Sequence, residues 1–271
     1  MLLSVHKKCS RLAALGELGR YPLLLSCLKH CLKYEWHLGT LDKDSLVSLA
    51  IKEMAAMPDL DTWFSQVQKI KSLFNIPVFS GSKDRVGLKI GHKLHSIYDR
   101  YWLDQINATK LGPDGLDHNK LRFYKLLKGS FKQEPYISNI LNRSQRTWLT
   151  RFRVSAVSNL GIESGRYTRP VTPVTERVCQ YCDSNSVDDE YHAILSCTTF
   201  TLKRNCFLGR MSSLFPTFSQ LTDRDKLVTI LCPTTTKMAK TVSKYLGILS
   251  ETRKKLDNGL SSEMIKTYCK I

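Results

Sequence analysis

The chain predicts an all-α protein, a multi-helix domain carrying a small single-zinc CCHC knuckle-like unit. Three observations predict this. Apolar side chains recur at helical spacing through most of the 271 residues. Alternating apolar and polar runs of strand type are nearly absent. Four residues with ligand chemistry, Cys179, Cys182, His192 and Cys197, stand close together between Arg177 and Arg204. The expected organisation is a helical domain over 1–110, a basic helical segment over 111–170, a CCHC zinc-binding unit over 171–210 and C-terminal helices over 211–271.

Taken in order, residues 1–38 read as helical segments broken at Gly16, Gly19 and Pro22. Leu23, Leu24, Cys27, Leu28, Cys31 and Leu32 form a broad apolar stripe on one helix, with Cys27 and Cys31 as small core residues. Sharing a metal with His30 is the alternative for that cysteine pair. Asp42 or Asp44 can cap a helix through Met57, and Asp59 or Asp61 can start another carrying Trp63, Phe64, Val67, Ile70, Leu73 and Phe74. A loop over 78–85 precedes a long helix from Asp84 to Ala108. Its expected apolar side is Leu88, Leu94, Ile97, Tyr98, Tyr101, Trp102 and Ile106. His92 and His95 lie three apart on it without a third ligand type at matching distance, which reads as surface histidines. Leu111–Asp117, L-G-P-D-G-L-D, is the strongest turn signal in the chain.

From Asp117 to Arg169 the chain holds eleven Lys and Arg against three acids, a net of +8. A helix over Asn142–Asn159 should place Trp148, Leu149, Phe152 and Ala156 on one face and Arg143, Arg146, Thr150 and Arg153 on the other. The second face suits phosphate oxygens, which guanidinium forks recognise bidentately. A solvated face paired with acids from elsewhere is the alternative. Tyr124, Phe131, Tyr136 and Trp148 interleave with the cations; core packing suits their spacing better than base stacking does.

The segment Arg177–Arg204 reads R-V-C-Q-Y-C-D-S-N-S-V-D-D-E-Y-H-A-I-L-S-C-T-T-F-T-L-K-R. A C-x2-C turn offers two thiolates to one ion, and the loop returns an imidazole and a third thiolate. Three sulfurs and one nitrogen close a tetrahedral Zn²⁺ with no open position, the pattern of a structural site. Ser186 followed by Asp189 reads as a capping box for a short helix carrying His192, with Asp188, Asp189 and Glu190 at its positive end. Three unrelated buried cysteines and a surface histidine are the alternative. Beyond it, helices are expected from Leu202 to Leu214, Leu221 to Leu231 and Thr236 to Leu256, the last ended at Asn258-Gly259.

Forty-one Lys and Arg against twenty-four Asp and Glu give a net charge of +17. Such a surplus favours a polyanionic partner, either nucleic acid or an anionic membrane surface, and nucleic acid is the one expected. Nine cysteines, three of them in the ligand set, show no disulfide framework. No secretory segment is evident, and the longest apolar stretch, around Leu23–Leu28, falls far short of the roughly 20 residues that cross a bilayer. The expectation is an intracellular protein of nucleus or cytoplasm without membrane contact.

The string R-x-C-x2-C, D-D-E-Y-H, I-L-S-C and the basic helix after it resembles the zinc-binding segment at the C-terminal end of LINE-type non-LTR retrotransposon reverse transcriptases. G-E-L-G-R-Y-P-L at Gly16–Leu23 and R-F-R-V-S-A-V-S-N-L-G-I-E-S-G-R-Y at Arg151–Tyr167 are similar to segments lying between the polymerase core and that zinc segment. The resemblance implies a module that helps hold template RNA or target DNA. The polymerase itself is not expected: Asp188-Asp189, the adjacent aspartates of V-D-D-E-Y-H, begin a helix rather than a hairpin turn able to hold two Mg²⁺. No nuclease, P-loop or nucleophile arrangement is read either, so no enzyme is expected. The function expected is a zinc-stabilised module that binds RNA or single-stranded DNA. Its candidate contacts are Arg143, Arg146, Arg151, Arg153, Arg166, Arg177, Tyr181, Lys203 and Arg204, with Tyr181, between the two cysteines, placed for base stacking. The competing readings are a zinc-containing adaptor that binds a partner protein and a relict open reading frame without activity.

Overall fold

The computed structural model describes residues 3, 5, 9–57, 60–112, 115, 117–138 and 142–259. Their regular structure is helical, and the extended pairings among them are two isolated antiparallel bridges, Leu111 with Asp117 and Val178 with Val187. The class is all-α. Helices α1 (Arg11–Leu18), α2 (Leu23–Leu38), α3 (Leu46–Ala56), α4 (Trp63–Leu73) and α5 (Lys83–Asn107) come first. The short α6 (Tyr124–Leu127), α7 (Pro135–Ser138) and α9 (Gly161–Ser164) surround α8 (Arg143–Arg153), and α10 (Thr201–Leu214), α11 (Asp223–Leu231) and α12 (Thr236–Asp257) follow.

The chain divides differently from the expected boundaries. One unit is Arg20–Asp104; the other joins the described residues of Met1–Gly19 to those of Gln105–Ile271. The CCHC segment is not separate, because Cys179, Cys197, Ala193 and Ile194 share one core with α8, α10 and α12. Pro113, Asp114 and Leu116 of the predicted turn, and Cys269, lie outside the described residues.

In the smaller unit, Leu32, Val67, Ile76, Val86, Ile90 and Leu94 form the core, with Leu25, Leu28, Trp36 and Trp63 against it. The buried stripe of α2 is therefore Leu25, Leu28, Leu32 and Trp36. Leu23 is 77% exposed, Leu24 65%, and Cys27 is also at the surface, which corrects the stripe expected there. Period 3.6 selects the 25–28–32–36 face; the cluster of leucines at 23–25 blurred it. Ser45 and Thr62 cap α3 and α4 by accepting from the amides of Ser48 and Ser65, in place of the aspartates expected. His95 lies flat on the Tyr21 ring at 3.9 Å, and burial holds its pKa below the ordinary value.

In the larger unit α8 lies against α12. Asn142 and Gln145 form a reciprocal capping box that starts α8. The helix stops at Arg153, six residues before the expected Asn159, because Ser155 turns to φ 49° and the Ala156 amide bonds back to Arg151 O at 2.8 Å. Trp148 rests on Gly247 of α12, where an added Cβ would meet the indole at 2.9 Å. Phe207 of α10 stacks on Tyr245 of α12 at 4.0 Å.

Candidate metal centre

The ligand segment is a minimal hairpin followed by one wide helical turn. The Cys179 amide donates to Ser186 O at 2.9 Å and the Asp188 amide to Arg177 O at 2.8 Å, which holds the C-x2-C turn closed. Asn185, in the left-handed region at φ 50°, makes the reversal. Asp189, not Ser186, caps the next turn: its Oδ1 accepts from the His192 amide at 2.9 Å. That turn is a π-turn over His192–Ser196, closed by the Cys197 amide donating to His192 O at 2.8 Å. The extra residue in the turn brings His192 and Cys197, five apart, toward one point.

Cys179, Cys182, His192 and Cys197 place their ligand atoms within 4.8 Å of one another. Cys179 and Cys197 bring their sulfurs to 3.9 Å, and His192 Nε2 lies 3.4 Å from Cys182 Sγ. With Nε2 facing the sulfurs, Nδ1 is left toward Ser196 Oγ at 3.4 Å, an outer partner that fixes the ring. Ser184 Oγ stands 3.2 Å from Cys182 Sγ.

The ligand side chains shift one another's titration. Cys197 is held below the ordinary thiol range by its hydrogen bond with Cys179, and Cys179, on the other side of that bond and buried, is pushed up to about 12. Burial works against the imidazolium of His192, yet Cys179 and Cys182 together raise its pKa. Three thiolates cannot crowd together on their own, so protons stay among them; a divalent ion displaces those protons. Among the described residues this is the one group of three or more Cys, His, Asp and Glu able to hold a metal ion.

Two buried acids, not expected as structural residues, anchor the surroundings. Asp188 accepts from the Gly161 amide at 2.7 Å and pairs with Arg253 of α12, whose guanidinium also donates to Asn159 O at 3.0 Å. Glu17 of α1 receives both Nε and Nη2 of Arg153, at 2.9 and 3.0 Å, and Glu134 pairs with Arg153 Nη2 at 2.7 Å. No local spacing signals either pair, since the Glu17 and Arg153 partners are 136 residues apart.

Four of the nine expected nucleic-acid contacts, the cations Arg153, Arg177, Lys203 and Arg204, are corrected by burial of their donors. Arg153 is 0% exposed and spends its donors on Glu17, Glu134 and Leu231 O. Arg177 is buried, donating to Thr172 O and Ile162 O at 2.9 Å. Lys203 bonds Thr252 Oγ1 at 3.0 Å, and Arg204 bonds Cys197 O at 2.6 Å. Tyr181 has one ring face under Arg253, at 4.4 Å, and its hydroxyl on Asp257, so that face cannot stack on a base. The physical reason is shared: a long cationic side chain is stable inside when carbonyls or carboxylates take its donors. Arg166 is half-buried, donating to His118 O at 3.0 Å. Arg143 is exposed, while Arg146 and Arg151 are half-buried, the latter over the Trp148 ring at 5.1 Å.

The fold and the site define an all-α protein with one four-ligand Cys/His group able to hold a metal ion. No protein-family model matches the chain, and neither a curated protein nor a solved structure matches it. Among the described residues no helix is long and apolar enough to cross a membrane.

Proposed function

We propose that the chain is a zinc-stabilised nucleic-acid-binding module, similar to the tail of a non-LTR retrotransposon reverse transcriptase. Zinc suits the donor set. Sulfurs about 2.3 Å and a nitrogen about 2.0 Å from a tetrahedral centre stand about 3.8 and 3.5 Å from each other, close to the 3.9 and 3.4 Å found. Four ligands leave no open position, so the ion organises the fold and carries out no reaction. Cys179, Cys182 and Cys197 would hold it as thiolates and His192 through Nε2.

The observation that carries the nucleic-acid reading is the net charge of +17 on a chain whose predicted knuckle ligands converge. Cations far in excess of acids draw a polyanion and release its counterions, which makes binding steep in salt. The test is fluorescence anisotropy of a labelled single-stranded RNA across a salt series, on the zinc-loaded full chain. Micromolar or tighter binding with a steep slope supports the reading, and millimolar, salt-insensitive binding contradicts it. One observation favours a second reading, a protein-binding adaptor: Pro22, Leu24, Leu25, Leu28 and Tyr101 line an apolar groove in the smaller unit. On that reading, affinity for an RNA would be weak and no steeper in salt than for any basic protein.

A further inference from the structure

Three of the exposed cationic residues of the larger unit meet where the sequence did not place a site. Helices α8 and α10 and residues 236–250 of α12 contain ten Lys and Arg and no Asp or Glu. Three of the ten, Arg153, Lys203 and Arg204, are buried. Of the others, Arg210 of α10 and Lys240 and Lys244 of α12 border one pocket of about 190 Å³, together with Gln145 and Thr241. All three cations are exposed. The floor is the Phe207–Tyr245 stack, whose rings face each other at 4.0 Å.

We propose that this pocket is a phosphate subsite for the backbone of single-stranded RNA. The inference rests on the nucleic-acid reading and says where on the molecule it acts. Size selects the group. The pocket is smaller than the roughly 300 Å³ at which small-molecule sites begin, so it takes a phosphate and not a whole nucleotide. The lining selects the chemistry: three cations with Gln145 and Thr241 ring a floor of Phe207, Tyr245 and Ile248, and the paired aromatic rings are occupied with each other instead of offering a face to a base. Recognition of this kind positions a strand without reading its sequence. Lys237, Lys240 and Lys244 fall at i, i+3 and i+7 on one face of α12, a row of about 10 Å at the helical rise. A stacked strand sets a phosphate about every 3.4 Å, so the row extends the pocket to more than one phosphate. The α12 sequence carries no Asp or Glu before Glu251.

The test measures anisotropy of a labelled single-stranded RNA against the zinc-loaded full chain over a salt series. It compares wild type, Lys240→Ala/Lys244→Ala, Arg210→Gln, and the control pair Lys43→Ala/Lys52→Ala on the smaller unit. Each phosphate contact on a single strand contributes about 0.7 to the salt slope, or about fivefold in affinity at 0.1 M salt. The pocket pair should therefore lose about 25-fold and about 1.4 of slope, and Arg210→Gln about fivefold, with the control pair unchanged. Equal losses in pocket and control pairs, or an unchanged slope in the pocket pair, overturn the subsite while the nucleic-acid reading stands. A wild type that does not bind RNA sinks both. A parallel arm uses phosphatidylserine vesicles; a pocket pair that loses vesicle binding and keeps RNA binding assigns the pocket to a membrane surface and overturns the proposal.

Discussion

The two units are both helical, yet different chemistry holds them. The smaller unit, Arg20–Asp104, depends on an apolar core, with Leu32, Val86, Ile90 and Leu94 at its centre. Its salt bridges, such as Lys71–Glu35 at 2.7 Å, lie at the edge of that core. The larger unit buries charge. Arg153 with Glu17 and Arg253 with Asp188 join segments far apart in the chain, and the four-ligand cluster gathers three thiols and an imidazole within one short segment. The ion pairs add little net stability compared with apolar packing, yet removing one partner is severe, because the other is left charged and dry. The contrast teaches that the larger unit should fail abruptly at single polar positions, and the smaller one gradually with lost apolar volume.

The largest effect should come from Cys197→Ser. Removing a buried ligand forfeits metal binding, which in small zinc modules supplies on the order of 10 kcal/mol of local folding free energy. Hydrogen exchange should show amide protection lost across 177–204 and kept across α4. Equal loss in both units would break the contrast. Next comes Arg153→Ala, expected to cost about 3–5 kcal/mol by stranding Glu17; urea unfolding of Arg153→Met/Glu17→Met, which leaves Glu134 paired with Lys128, should recover most of that. In the smaller unit Ile90→Ala should cost about 2–5 kcal/mol through the cavity it leaves, read as exchange acceleration confined to 20–104. Gly247→Ala presses a methyl against Trp148 and should cost about 1–3 kcal/mol in thermal unfolding. Smallest is Ser45→Ala, about 1 kcal/mol for one N-cap, visible as faster exchange in the first turn of α3.

Much of the fold was legible because helix signals are local. The start of α8 at Asn142, the ends of α5 within a residue and the last three helices followed from periodicity and breaking residues. The four ligands were legible for the same reason, since spacing within twenty residues sets their convergence. What was hidden was long-range. Glu17 looks like any surface glutamate until Arg153 and Tyr136 close around it, and Arg153 looks like a phosphate contact on a helical wheel. Arg177 and Arg204 likewise sit in a basic string whose donors turn inward to carbonyls. Sequence distinguishes a cation from an acid, but which cation faces water is decided by partners dozens of residues away. The same limit hid the α10–α12 pocket, whose Arg210 and Lys244 share no local motif.

The central claim is that one metal ion organises the larger unit. Native mass spectrometry of the purified full chain, with Cys197→Ser beside it, tests this most directly. The account predicts one zinc ion per wild-type chain and none in the variant. A wild type that carries no metal after zinc is supplied, yet keeps its amide protection over 177–204, would contradict it.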